Sequence, residues 1–122
     1  MSDYILPEVW ENPTSMGGAW GGLNQPTAGA RFEQTLPKGD QPFQLYTLPT
    51  PNGIKATIML EELKELGVTQ AGYDAYRIKI GDGDQFGSDF VSINPNSKIP
   101  AMMDYSEDQA VRVFESANIL LY

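Results

Sequence analysis

The sequence predicts an α/β fold: a mixed four-stranded sheet with helices on both faces, preceded by an irregular N-terminal extension. Three observations carry this prediction. Strand-like runs at 43–48 and 73–80 flank an amphipathic helical stretch, which implies a parallel pair joined by a crossover. Two apolar runs at 101–103 and 110–114 are separated by a polar turn and read as a hairpin. A further helical pattern opens after Phe114. With 122 residues, 41% of them hydrophobic, the chain can bury one core.

The first 42 residues stand apart. They hold six of the 12 Gly, five of the nine Pro and both Trp, and no stretch keeps a period of 2 or 3.6. They are read as a Gly/Pro-rich arm (1–42), with the sheet domain at 43–122. Tyr4, Trp10, Trp20 and Phe32 are costly to leave in water. That favours an ordered arm, docked on its own domain or on a partner.

Phe43 to Leu48 is rich in strand formers. In Thr50-Pro51-Asn52-Gly53, Thr suits an N-cap and Pro the first helical position. Ala56, Met59, Leu60, Leu63 and Leu66 then recur at helical spacing, and Gly67 stands where a C-cap glycine belongs. The second strand runs from Tyr73 to Ile80, with Tyr76, Ile78 and Ile80 on one face. The loop Gly81–Gly87 is no dinucleotide fingerprint, because its third Gly follows the second by four residues. Nor is it a calcium loop, since Phe86 and Ile93 occupy ligand positions. It reads as a solvated turn that positions Gln85. Ser88 or Asp89 can cap a short helix that Pro95 ends. The hairpin follows, and the last helix begins at Glu115 with Ser116 as its candidate N-cap. That helix reaches Ile-Leu-Leu-Tyr without Gly, a basic last turn or Pro. The expectation is therefore the front part of a longer protein, truncated in its last helix. The order βαβ-α-ββα is the thioredoxin-like arrangement.

Composition excludes several functions. Eight basic residues against 16 acidic give a net charge of −8, which repels nucleic acid. With no Cys, the chain has no disulfide, thiolate metal site or thiol chemistry of its own. With no His it lacks the commonest general base and metal ligand, and no metal is expected. No apolar run approaches the ~20 residues that span a bilayer, and no basic residue precedes Arg31, so no membrane association and a cytoplasmic location are expected.

Three segments are candidates for chemistry. Thr50-Pro51-Asn52-Gly53 serves equally as a plain helix start and as an anion site, because it opens a helix after the first strand of an open sheet. A thiolate there would gain from the helix dipole and from Thr50 and Asn52 as donors. Since the chain has no thiol, a substrate must bring it. Asn96-Ser97-Lys98-Ile99-Pro100-Ala101 puts a Pro at a strand entrance, trans by default. In the cis form the backbone of Ile99 could pair with an extended peptide, and Lys98 could reach a carboxylate. Glu115-Ser116 alone is a helix cap. Combined with the other two segments it is a receptor for a zwitterion: Ser116 and free N–H groups for a carboxylate, Glu115 for an ammonium.

The Thr-Pro-Asn-Gly helix start, Asn-Ser-Lys-Ile-Pro-Ala and Phe-Glu-Ser-x-x-Ile-Leu-Leu-Tyr together resemble the N-terminal domain of glutathione transferases. The Gly-rich leader, Gly-Asp-Gly-Asp-Gln-Phe and Leu-Glu-Glu-Leu are similar to the bacterial Nu class, glutathione-dependent disulfide-bond oxidoreductases. The resemblance covers nearly the whole chain. It implies a thioredoxin-like domain that a helical domain, absent from this chain, would follow, in a homodimer when full length. It further implies glutathione as co-substrate with a small disulfide or electrophile, and the bound thiol as nucleophile. Thr50 and Asn52 would sit at the sulfur, and Ile99 would pair with the cysteinyl part before a cis Pro100. Glu115 and Ser116 would grip the γ-glutamyl end, and Gln85 and Asn24 would contact the ligand. Two alternatives stand beside this: a non-catalytic glutathione-binding or regulatory protein of the same fold, and an interaction arm anchored by Trp10 and Trp20.

Overall fold

The computed structural model describes residues 5–9, 21–23 and 28–122. Its elements are β1 (Phe43–Thr47), α1 (Gly53–Glu65), β2 (Tyr73–Arg77), α2 (Ser88–Ile93), β3 (Ala101–Asp104), β4 (Val111–Phe114) and α3 (Ser116–Leu121). The strands form one sheet in the order β2-β1-β3-β4. β1 and β2 are parallel, and the β1–β3 and β3–β4 pairs are antiparallel. This is the mixed sheet that the sequence predicts.

Alternation along the strands builds two apolar layers. Leu45, Met102 and Val113 face α1 and α3, where they bury against Ala56, Leu60 and Ile119. Tyr46 and Ala101 face the other way, onto Phe90 and Ile93 of α2 and onto Ile78. Gly67 adopts φ +77 just past the end of α1, the left-handed position that ends a helix at little cost to glycine.

Several boundaries differ from expectation. β2 stops at Arg77, not Ile80, because β1 turns away at Leu48-Pro49 and leaves nothing to pair with. The Ile78 N–H still donates to the Thr47 carbonyl at 2.8 Å, and Ile78 and Ile80 still pack beside Tyr76. Neither Ser88 nor Asp89 caps α2, whose cap position is Gly87. Their side chains bind the leader instead: Ser88 Oγ accepts from Gln34 N at 2.9 Å and Asp89 Oδ2 from Leu36 N at 2.8 Å. Ser116 is likewise the first residue of α3, and Glu115 holds the cap position without a side-chain cap bond.

The leader segment 31–42 lies along the α2 side of the sheet. The Tyr46 hydroxyl donates to the Pro37 carbonyl at 2.9 Å, and the Arg31 guanidinium stacks 3.5 Å over the Phe86 ring. Fully buried Gln44 accepts from Gly39 N and donates to the Gln41 carbonyl and to Asp74. Tyr4, Trp10, Trp20 and Asn24 lie outside the described residues.

Asp104, buried at the end of β3, ties α3 to the sheet. Its Oδ2 accepts from the Tyr122 hydroxyl at 2.7 Å and its Oδ1 from Ser106 N at 2.7 Å. Burial alone would raise its pKa, but these hydrogen bonds outweigh burial and hold it below the usual carboxylate value. A carboxyl depressed in the folded state stabilises above its unfolded pKa, and that stability is lost as pH falls toward the folded value. Replacing Tyr122 by Phe is therefore expected to cost about 0.5–1.5 kcal/mol near neutral pH. The difference should shrink as acid protonates Asp104. Urea unfolding of both proteins across a pH series measures it.

Candidate functional site

The sheet's registers decide where the candidate segments meet. Thr47 pairs with Arg77, Tyr46 with Ala101, and Ala101 with Phe114. The exits of β1, β2 and β4 and the entrance of β3 therefore share one edge, and every candidate segment springs from it. In open α/β sheets this edge is where ligands bind.

A cavity of about 270 Å³ opens there. Thr50, Asn52, Gln85 and Ile99 line it, together with Ser97, Lys98 and Leu23 of the leader. Thr50 thus shares a cavity lining with Gln85 and Ile99, which lie 35 and 49 positions further along the chain. Glu115 and Ser116 are outside that lining. They lie at the adjoining corner, where Glu115 Oε1 accepts from Asn96 Nδ2 at 3.3 Å, one residue before Ser97. Asn24 falls outside the described residues, although Leu23 beside it reaches the cavity.

The cap position of α1 is Asn52, not Thr50, and Asn52 makes no side-chain cap bond; Thr50 caps the first helical N–H from two residues further out. Its Oγ accepts from the Gly53 N–H at 3.1 Å, and its carbonyl accepts from Ile54 N at 3.0 Å, with Pro51 between. The hydroxyl accepts within the protein, so its own proton is left for a ligand at the helix tip. Asn52, also in the lining, accepts from Lys55 Nζ at 2.9 Å through Oδ1, which leaves its Nδ2 group without a partner among the described residues. α1 supplies the positive end of its dipole at the same place. This corner can hold an anion with hydrogen-bond donors. Tyr46, the tyrosine of β1, is not in the lining: it faces α2, and burial pushes its phenol up to about 12.

Gln85 is 2% exposed, and the turn that carries it is a tight 3-10 turn, Asp84–Phe86, which buries it. The expected solvated loop is thus correct for Gly81 and Asp82 and wrong for Gln85 and Phe86. Gln85 Nε2 donates to the Ile80 carbonyl at 3.3 Å, and its Oε1 has no partner among the described residues. A buried acceptor without a donor is costly.

The Ile99–Pro100 bond is cis. Two neighbours have left-handed φ, Ser97 at +53° and Glu115 at +70°. Such angles in non-glycine residues are sparsely populated and cluster at ligand sites. Asn94 is fully buried and holds the turn between them: its Nδ2 donates to the Lys98 carbonyl at 2.6 Å and its Oδ1 accepts from Asn96 N at 2.9 Å. Sequence reading passed over Asn94, although Asn-Pro-Asn is a turn signature that could have flagged it. Among the described residues no group of three acidic side chains could hold a metal ion, and no helix is long and apolar enough to cross a membrane.

Comparison with known proteins follows the geometry. No protein-family model matches the chain. It is 61% identical, over its full length, to an uncharacterised GST-like protein of Streptococcus mutans, and covers 46% of that protein. It is 59% identical over 119 residues to the disulfide-bond oxidoreductase YghU of Escherichia coli, which is 98% of this chain and 41% of that one. A crystal structure of glutathione transferase YghU from Streptococcus pneumoniae, complexed with glutathione, superposes with a TM-score of 0.90 at 67% identity, over 98% of this chain and 46% of that one. The chain thus spans about half the length of the relatives it matches.

Gly53 sets the distance between α1 and β1. A Cβ there would collide with the Leu48 carbonyl oxygen and approach Thr47 Oγ to 2.7 Å. Gly53→Ala should push the helix start outward, cost about 1–3 kcal/mol of stability, and deform the cavity corner. Chemical denaturation gives the stability, and amide chemical shifts at Thr50 and Asn52 report the displacement.

Proposed function

We propose, from the premise that this chain is a homologue of the glutathione transferase-like proteins, that it binds glutathione or its disulfide and serves glutathione-dependent disulfide reduction. The observation that carries the reading is the cavity itself. In a chain with no cysteine, the Thr50–Asn52 helix tip, the Lys98–Ile99 backbone segment and Gln85 converge on one volume.

In this reading Thr50 and Asn52 face the glutathione sulfur and favour its thiolate, an electrostatic role without a covalent step. Ile99 offers its backbone to the cysteinyl unit. Gln85 contacts glutathione from its turn. Glu115 attracts the γ-glutamyl ammonium, and Ser116 with the free N–H groups of α3 holds its carboxylate. Asn24, in the leader, is a further glutathione contact. The reaction balances as two exchanges. A glutathione thiolate attacks one sulfur of the substrate disulfide, forming a mixed disulfide and expelling a thiolate. A second glutathione thiolate attacks the glutathione sulfur of that mixed disulfide, giving glutathione disulfide and the second product thiolate. The protons lost by the two glutathione thiols go to the two products.

The finer assignment is to the Nu class, acting as a homodimer in the cytoplasm. The cytosolic glutathione pool is poised to supply the electrons. Exposed apolar side chains such as Val111 and Leu121 support a partner surface. Residues 1–42 form an N-terminal arm, of which Leu23 lines the cavity, beside a glutathione-binding domain at 43–122.

Calorimetric titration tests binding. Saturable heat with glutathione or glutathione disulfide is expected, weakened roughly tenfold by Ser116→Ala, which removes one hydrogen bond to a charged group. A flat trace with both ligands would refute the reading. Turnover of a small synthetic disulfide should fall on replacing Thr50 and Asn52 together by Ala, by roughly 10²-fold or more if both donors serve the thiolate. Unchanged binding with no turnover in the parent protein would favour the non-catalytic alternative.

A further inference from the structure

The turn that presents Gln85 is not held by its own domain alone. Gln34, in the leader, clamps it from outside. Gln34 Nε2 donates to the Asp84 carbonyl at 3.0 Å, immediately before Gln85. Its Oε1 accepts from Phe90 N at 3.3 Å and so caps the start of α2 from a distant part of the chain. Its backbone N–H donates to Ser88 Oγ at 2.9 Å, and Ser88 Oγ donates back to its carbonyl at 3.2 Å. On the other side of Gln85, the Phe86 carbonyl accepts from Arg31 N at 2.8 Å, and Ser88 N donates to the Phe32 carbonyl at 2.9 Å. Both peptide carbonyls that bracket Gln85 are therefore fixed by residues 31–34. Gly87 supplies an independent mark of the same clamp: a Cβ there would collide with the Gln34 carboxamide. The φ of Gly87 is −73°, which any residue adopts, so the glycine answers to Gln34 and not to backbone geometry.

We propose that Gln34 is the positioning residue of the binding site, holding Gln85 in the cavity wall through the Asp84–Phe86 turn. The proposal rests on the glutathione reading for its ligand. It goes beyond that reading in giving the leader segment 31–34 a defined task at a residue that does not line the cavity.

The test uses the full 122-residue chain, with Gln34→Ala, Gln85→Ala, the double variant and Gly87→Ala. Without ligand, hydrogen exchange at the Phe86 amide, which bonds the Gly83 carbonyl, should quicken roughly tenfold in Gln34→Ala and in Gly87→Ala. Exchange at the core strand amide of Leu45 should hold its parent rate, which a merely global loosening would not allow. With glutathione, Gln34→Ala should weaken binding roughly fivefold, yet add nothing in the Gln85→Ala background, because the effect passes through Gln85. Equal weakening in both backgrounds, or parent exchange at Phe86, would overturn the proposal. If the parent chain binds no glutathione, the glutathione reading fails, and the exchange result alone still decides whether Gln34 fixes the turn.

Discussion

The closeness of α1 to β1 is the constraint on which the site depends. After Thr47 the chain has five residues in which to leave the sheet, turn and begin a helix that packs back on it. Gly53 lets the first turn lie against the Leu48 carbonyl, and the Thr50 hydroxyl takes the Gly53 N–H that would otherwise be unpaired. The helix tip is thereby fixed at the sheet edge where β2, β3 and β4 also deliver their loops. A looser start would leave the same residues present but no shared volume for a ligand.

Buried polar side chains fix the connecting segments at both ends of the sheet, Asn94 beside the cavity and Gln44 and Asp104 at the opposite end. Asn94 folds the 94–98 turn, Gln44 anchors the end of the leader, and Asp104 ties the hairpin to α3. Loops carry the functional atoms, and such satisfied networks are what make loops geometrically definite. Among the described residues Gln85 Oε1 and Thr47 Oγ1 depart from this pattern, and Gln85 belongs to the cavity lining.

Much of the fold was legible because its signals are local. The period of Ala56, Leu60 and Leu63, the Thr-Pro start and Gly67 specify α1 within a few residues, and the polar turn specifies the hairpin. Thr50, Asn52 and Ile99 were legible for the same reason: each sits at a helix tip or a Pro-marked strand entrance. What failed was non-local. Ser88 and Asp89 look like caps, yet their oxygens serve the leader more than 50 residues away. The end of β2 depends on where β1 turns, which nothing in Ile78–Ile80 announces. Gln34 carries no pattern of its own, because its role exists only once the leader is laid beside α2.

The central claim is that a chain without sulfur nucleophiles steadies a borrowed thiolate at the tip of α1. The ionisation of the bound tripeptide's thiol tests this most directly, followed by ultraviolet thiolate absorbance during a pH titration of the saturated complex. The account predicts an apparent pKa clearly below the ordinary thiol value of about 8.5, moving back toward it when Thr50 is replaced by Val. A bound thiol that ionises at the same pH as the free one would contradict the account.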